Sequence, residues 1–191
     1  MTLIRCGLAL CIATVLAACA GTSPVVADAA PVHEAPAAKT GIDAIPGLHA
    51  PRANLLTSGQ PAQGDWVALA AQGVTTVVNL RTDAEMAGRD EAAEVEAAGM
   101  AYHHLPIASA DELTSGNAAQ LRALLEGAQG TLLVHCASAN RAGALLAVGA
   151  VDAGEMTPQQ ALEFGRSAGL TSPRFEAQVR PRLGLPDEGA E

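Results

Sequence analysis

The 191-residue chain carries a formal net charge of −9, and 49% of its residues are hydrophobic while only 2% are aromatic. This balance argues against nucleic acid or an anionic membrane surface as a partner, and it means that an anionic substrate must be held by a local field. The length suits one domain with an aliphatic, alanine-rich core that needs no metal or disulfide.

Arg5 precedes an apolar run over residues 6–18 that ends in Leu16-Ala17-Ala18-Cys19. Residues 1–18 read as a secretory signal, too short to span a bilayer. Leu-Ala-Ala-Cys resembles a bacterial lipobox. The resemblance implies that Cys19 is lipidated and becomes the first residue; the alternative is an ordinary signal cut at Ala18 or Ala20. Ala20 after the cysteine points to the periplasmic face of the outer membrane, with membrane contact through the lipid anchor alone. Cys6 and Cys11 leave with the signal, so Cys136 has no intramolecular partner and there is no disulfide framework. Residues 19–43, rich in Ala, Pro, Val, Ser and Thr, read as a disordered linker, and 44–191 as the domain.

Asn54–Ser58 reads as a short strand turned by Gly59-Gln60-Pro61. Residues 62–72 read as a helix with Trp66 and Leu69 in the core and Gly73 as its stop. Val74–Leu80 is a β-branched apolar run, the pattern of a strand buried on both faces. Thr82 and Glu85 form a capping-box pattern expected to open a helix running to Ala98, with Gly99 as its C-cap. Met100–Leu105 reads as a strand, 107–113 as a loop, and 114–127 as a helix. Thr131–His135 is the next strand. The stretch from Arg141 to Ala153 is apolar nearly all round, the pattern of a buried helix. Thr157-Pro158-Gln159-Gln160 starts another helix, and a short one follows Pro173. Strand and helix alternate, which predicts an α/β three-layer sandwich. Its central sheet would be mostly parallel, four- or five-stranded, with helices on both faces. In such sheets the site lies beyond the carboxyl ends of the strands, where Leu80-Arg81, Pro106–Asp111 and Cys136–Arg141 converge.

The segment Val134-His135-Cys136-Ala137-Ser138-Ala139-Asn140-Arg141 places a thiol between a strand and a helix N-terminus, beside a guanidinium. Both neighbours favour the reactive thiolate. The alternative reading of Cys136 is an inert buried thiol. An arginine at a helix start opposes the dipole unless an anion is bound there. His103 and His104 point to opposite faces of a strand and make a poor metal pair, and no zinc-type spacing or nucleotide-binding glycine loop is present. Neither metal nor cofactor is expected.

Four motifs occur in order: Ser58-Gly-Gln-Pro61, Val77-Val-Asn-Leu-Arg81, His104-Leu-Pro-Ile107 and Val134-His-Cys…Asn140-Arg141-Ala-Gly-Ala-Leu145. Together they resemble the bacterial phosphatase-like domain of beta-lactamase-hydrolase-like proteins, which has the fold of the dual-specificity and protein tyrosine phosphatases. The resemblance implies that the Cys136 strand lies between the first strand and Val74–Leu80. It implies Cys136 as nucleophile, and Arg141 with the backbone of Ala137, Ser138, Ala139, Asn140 and Ala142 as the phosphate cradle. Asp111 is the implied general acid with Glu112 as the runner-up, and His135 is a supporting residue behind the loop. Arg81 either adds positive field at the site or faces solvent after its strand, the second being the preferred reading.

The chain departs from the tyrosine phosphatase pattern in three ways. Four residues separate Cys136 from Arg141 where those enzymes have five, and rhodanese-type sulfurtransferases share the shorter spacing. Ala142 replaces the usual Ser or Thr. Ala139 stands where glycine would ease a positive φ. The expected activity is a cysteine-dependent phosphatase acting on a phosphorylated small molecule or protein. The alternatives are a sulfurtransferase that takes a persulfide on Cys136 from a sulfur donor, or a non-catalytic anion-binding module.

Overall fold

The computed structural model describes residues 41–186; the signal segment, Cys19 and the linker up to residue 40 lie outside them. A 3-10 turn at Gly41–Ala44 reaches into the stretch read as linker and brings Ile45 into the core, where it is 4% exposed.

Five strands form one sheet: β1 (His49–Arg52), β2 (Leu55–Ser58), β3 (Val74–Asn79), β4 (Ala101–His104) and β5 (Thr131–His135). Their order is β1-β2-β5-β3-β4. β1 runs antiparallel to β2 and every other pairing is parallel. β5, the strand that delivers Cys136, lies between β2 and β3, as the resemblance implies. β1 is a strand the sequence reading does not contain. Its residues alternate between half-buried and exposed, and no apolar run announces it.

Helices α1 (Trp66–Ala71) and α2 (Glu91–Ala97) cover one face. There Trp66, Leu69 and Val95 pack on Val74, Val77 and Leu133. Helices α3 (Ser115–Gly127), α4 (Asn140–Asp152), α5 (Pro158–Ser167) and α6 (Pro173–Val179) belong to the other face. Leu121, Leu145, Leu162 and Val179 pack there with Val78, Leu132 and Val134. Alternate residues of β3 and β5 thus feed opposite clusters, the burial on both faces that their β-branched runs predict.

The expected continuous helix over 82–98 is two pieces. Thr82 and Glu85 do form a reciprocal capping box, but it closes only a 3-10 turn, Asp83–Met86. Gly88 then adopts φ +81°, and Asp90 caps α2 afresh by accepting the Ala93 N–H at 3.1 Å. A positive φ interrupts a right-handed helix, and a new helix needs a new cap. The break leaves Glu85 in the 3-10 turn that follows β3 and Glu91 at the start of α2.

Candidate active site

The site is built at the carboxyl end of β5. Cys136 donates its backbone N–H to Ser58 O at 3.3 Å, and Gly59 pairs with Ser138 in an isolated antiparallel bridge. The end of β2 therefore lies along the loop. A Cβ at Gly59 would stand 2.9 Å from Pro46 O and 3.1 Å from Ala137 O, which is why the Ser-Gly-Gln-Pro motif needs glycine there.

Ala139 turns the loop into α4 with φ +65° and ψ −13°, a left-handed conformation unusual for a residue with a Cβ. It is fully buried. The first helical hydrogen bond runs from Gly143 N–H to Ala139 O at 2.9 Å. The N–H groups of Asn140, Arg141 and Ala142 precede it and lack partners within the helix, so they form the positive end of α4 at the loop. Asn140 fastens the loop to the chain behind it. Its Oδ1 accepts the N–H groups of Thr171 (2.9 Å) and Ser172 (2.8 Å), and its Nδ2 donates to Ser138 O at 3.2 Å.

Cys136 is the free cysteine of the described residues and is 1% exposed. Its neighbour is the Arg141 guanidinium. Arg141 Nη1 donates to Ile107 O at 2.7 Å and to Glu85 Oε2 at 2.8 Å, and Nη2 donates to Glu85 Oε1 at 2.6 Å. A guanidinium has five N–H donors. These bonds, with a longer one from Nη1 to Leu80 O at 3.4 Å, engage both Nη1–H groups and one Nη2–H; Nε–H and the second Nη2–H, the side-by-side pair that grips two oxygens of a phosphate, remain for the Cys136 sulfur and an anion. The Arg141 hydrogen bonds, which outweigh burial, lower the Glu85 carboxyl pKa to about 2. In return, Glu85 and then the Cys136 sulfur hold the Arg141 pKa above its ordinary value despite burial.

Behind the loop, His135 is fully buried and its Nε2 stands 2.8 Å from Glu91 Oε1. Burial alone would raise the Glu91 pKa, but the His135 hydrogen bond and charge, with Gln60 and Arg89, bring it below the ordinary carboxylate value. An ionised Glu91 can only accept, so Nε2 carries the proton. His135 Nδ1 is buried without a partner.

Arg81 is not a solvent-facing side chain. Only 18% of it is exposed, because Nη1 donates to Gln60 Oε1 at 2.5 Å and Nη2 donates to the Glu85 carbonyl. The preferred solvent reading is therefore corrected, and Arg81 belongs to the frame of the site. Asp111 sits on a 3-10 turn, Ala110–Glu112, with its carboxylate 95% exposed and 3.3 Å from Arg182 Nη2. Glu112 Oε2 accepts the Ala108 N–H at 2.6 Å, which commits it to the loop's own structure. Ala142 is fully buried and brings no hydroxyl, while the Ser138 hydroxyl faces Asn140 Nδ2 at 3.2 Å. His104 Nε2 lies 2.6 Å from Arg81 O, and His103 lines a separate groove beside α3. Among the described residues no cluster of His, Cys, Asp or Glu is arranged to hold a metal ion.

Three residues of this frame escape the sequence reading: Glu85, Glu91 and Gln60. Glu85 looks like a helix cap, Glu91 like a mid-helix surface charge, and Gln60 like part of a turn. The one available signal was Gln60's place in the Ser-Gly-Gln-Pro motif.

The chain is similar to known proteins in family and in fold. The family model described as "Beta-lactamase hydrolase-like protein, phosphatase-like domain" matches residues 48–153. A beta-lactamase hydrolase-like protein of Xylella fastidiosa (strain Temecula1 / ATCC 700964) is 31% identical over an alignment of 148 residues that covers 68% of this chain and 34% of that protein. One from Agrobacterium fabrum is 29% identical over 120 residues, 61% of this chain and 28% of that protein. The chain thus spans about a third of the length of the curated relatives it matches. Among solved structures, P. aeruginosa TpbA, as a Cys-to-Ser variant in complex with phosphotyrosine, has a TM-score of 0.58 at 23% identity over 75% of this chain and 86% of that one. Kinase-associated phosphatase with its catalytic-site cysteine replaced by serine has a TM-score of 0.54 at 17% identity over 68% of this chain and 87% of that one. The chain belongs to the family of the phosphatase-like domain of beta-lactamase hydrolase-like proteins, and its fold is that of the tyrosine and dual-specificity phosphatases.

Proposed function

We propose that the domain is a cysteine-dependent phosphatase acting on phosphoesters. The observation that carries this reading is Arg141, which is fixed beside Cys136 by Glu85 and Ile107 O with a two-donor edge to spare. In the first step the Cys136 sulfur attacks phosphorus, the phosphorus–oxygen ester bond breaks, and the leaving oxygen takes the Asp111 proton. In the second, water attacks the cysteinyl-phosphate, its proton passes to the Asp111 carboxylate, and phosphate leaves as the thiolate re-forms. Arg141 and the N–H groups at the start of α4 stabilise the charge on the equatorial oxygens in both steps. Without a hydroxyl at Ala142 to assist the departing sulfur, the second step is the slower one.

Purified residues 41–191 should hydrolyse an aryl phosphate and be inhibited by vanadate, with hydrolysis lost in Cys136→Ser. Hydrolysis that survives Cys136→Ser refutes the mechanism. Absence of hydrolysis in the unaltered protein, with uptake of one sulfur on Cys136 from a persulfide donor seen by intact mass, replaces it with sulfur transfer.

We further propose, from the lipobox-like Leu16-Ala17-Ala18-Cys19, that the domain is tethered at the cell envelope through Cys19. The full-length chain should enter the detergent phase of a phase-separating detergent, and Cys19→Ser should stay in the aqueous phase. Equal partition of the two overturns the anchor.

A further inference from the structure

The Ser-Gly-Gln-Pro motif is not accounted for by the chemistry above, because Gln60 touches neither the thiol nor the guanidinium. Its side chain does something else. Gln60 Nε2 donates to Glu91 Oε2 at 2.5 Å, and Gln60 Oε1 accepts from Arg81 Nη1 at 2.5 Å. On one side Glu91 holds His135, the residue before Cys136, at 2.8 Å. On the other, Arg81 Nη2 donates to the Glu85 carbonyl, and Arg81 Nε stands 3.7 Å from Glu85 Oε1, the oxygen that receives Arg141 Nη2. The path therefore starts at one end of the loop and returns to the other: His135, Glu91, Gln60, Arg81, Glu85, Arg141, with the Arg81–Glu85 step made by a hydrogen bond to the Glu85 backbone carbonyl and, between side chains, by the ion pair alone, since Arg81 Nε has no hydrogen-bond partner among the described residues. The loop itself closes the ring.

We propose that Gln60 is a positioning residue that couples the His135–Glu91 pair to the Glu85–Arg141 pair, so that the thiol and the anion-gripping edge on the two flanks of the loop are set together. An amide suits this role because it donates to one charged partner and accepts from another in the same plane. A carboxylate in its place could not donate to Glu91, and an ammonium could not accept from Arg81. The path is partly or fully buried throughout, where each bond between charged groups is stronger than in water and an unmade one costs more. The charged and titratable groups packed on it are Arg89, 3.8 Å from Glu91, and Tyr102, whose pKa is raised by burial and by the Glu91 charge.

The role in turnover rests on the phosphatase reading; the coupling does not, and two alkylating probes test it without any substrate. Iodoacetamide, which is neutral, reports the reactivity of Cys136. The rate ratio of iodoacetate to iodoacetamide reports how well Arg141 grips an anion beside that thiol. Glu85→Gln and Glu91→Gln, made singly and together, form a cycle on both readouts. Distant, independent sites are additive, whereas members of one network are not. The expected result is a non-additivity of about fivefold or more that falls to additivity in the Gln60→Met background. Gln60→Met alone should lower both the iodoacetamide rate and the iodoacetate preference by about tenfold, the scale of a lost hydrogen bond to a charged group. Additive effects of Glu85→Gln and Glu91→Gln with Gln60 in place overturn the proposal, and this arm stands even if Gln60→Met does not fold. Failure of the protein to hydrolyse aryl phosphates would overturn the phosphatase reading and leave this result intact.

Discussion

Glu85 meets Arg141 end-on, with both carboxylate oxygens on the two terminal nitrogens at 2.6 and 2.8 Å. The carboxylate therefore occupies the edge of the guanidinium that faces away from Nε and leaves the other edge for an oxyanion. This ion pair also ties the first turn of α4 to the 3-10 turn Asp83–Met86. Because Glu85 has a pKa of about 2 in the folded protein against an ordinary 4.5, it contributes stability that is fully present above pH 4.5 and is lost as pH falls toward 2. The melting temperature of the unaltered protein should therefore fall more steeply between pH 6 and pH 3 than that of Glu85→Gln. Equal slopes would remove Glu85 from the acid transition.

Arg141→Lys should cost more than the change of cation suggests. A lysine cannot serve both Glu85 oxygens, Ile107 O and a bidentate anion at once. We expect kcat/KM for an aryl phosphate to drop by about 10²-fold or more, the loss of a preorganised donor at the developing charge. The melting temperature should fall as well, because Ile107 O and Glu85 lose donors in a half-buried place. Retention of near-normal kcat/KM would show that Arg141 serves the frame and not the anion.

Asp111 and Glu112 are separable by their partners. Glu112 is bound to the Ala108 N–H, while the Asp111 side chain is exposed and meets Arg182 at the surface. Asp111→Asn should reduce kcat/KM for phenyl phosphate by about 10²-fold or more and barely affect kcat/KM for p-nitrophenyl phosphate, whose leaving group needs no proton, while kcat, set by the second step in which Asp111 is the base, falls for both. Glu112→Gln should lower the melting temperature with no such dependence on the leaving group. If Glu112→Gln instead shows the leaving-group dependence, the two roles are exchanged.

The four parallel strands of the sheet and the loop were legible because each leaves a local mark, as the edge strand β1 does not. β5 is bounded by Gly130 and by His135-Cys136, α4 is apolar on every side, and Ala139 sits where the loop must adopt a positive φ. The frame around the loop was not legible. Glu85, Glu91 and Gln60 are polar residues whose meaning lies in partners 21 to 56 residues away in the chain. Neither periodicity nor capping rules carry information over such separations. The break at Gly88 hid them further. A capping box predicts where a helix starts, not how many residues it sustains, and here it sustains only the turn Asp83–Met86 before Gly88 takes φ +81°.

Gly169 offers a steric test of how tightly the loop is backed. A Cβ there would lie 2.5 Å from Ala139 Cβ and 3.1 Å from the His49 ring, at a φ of +100° that L-residues rarely adopt. Gly169→Ala should therefore destabilise the domain by about 2–4 kcal/mol through overpacking and backbone strain together. Ala139→Gly, by contrast, should be nearly neutral. Relief of the left-handed conformation, about 1–2 kcal/mol, is offset by the buried methyl it removes, about 0.8 kcal/mol, and by the added freedom of the unfolded chain. Combined, the two changes separate the causes, since Ala139→Gly deletes the atom that Gly169→Ala would strike but leaves the φ strain at 169. The double variant should be more stable than the sum of the singles predicts by about 1–2 kcal/mol in urea unfolding. Strict additivity would mean that the loop moves aside to admit the new methyl, and so that Ala139 is not held in place by Gly169 and His49.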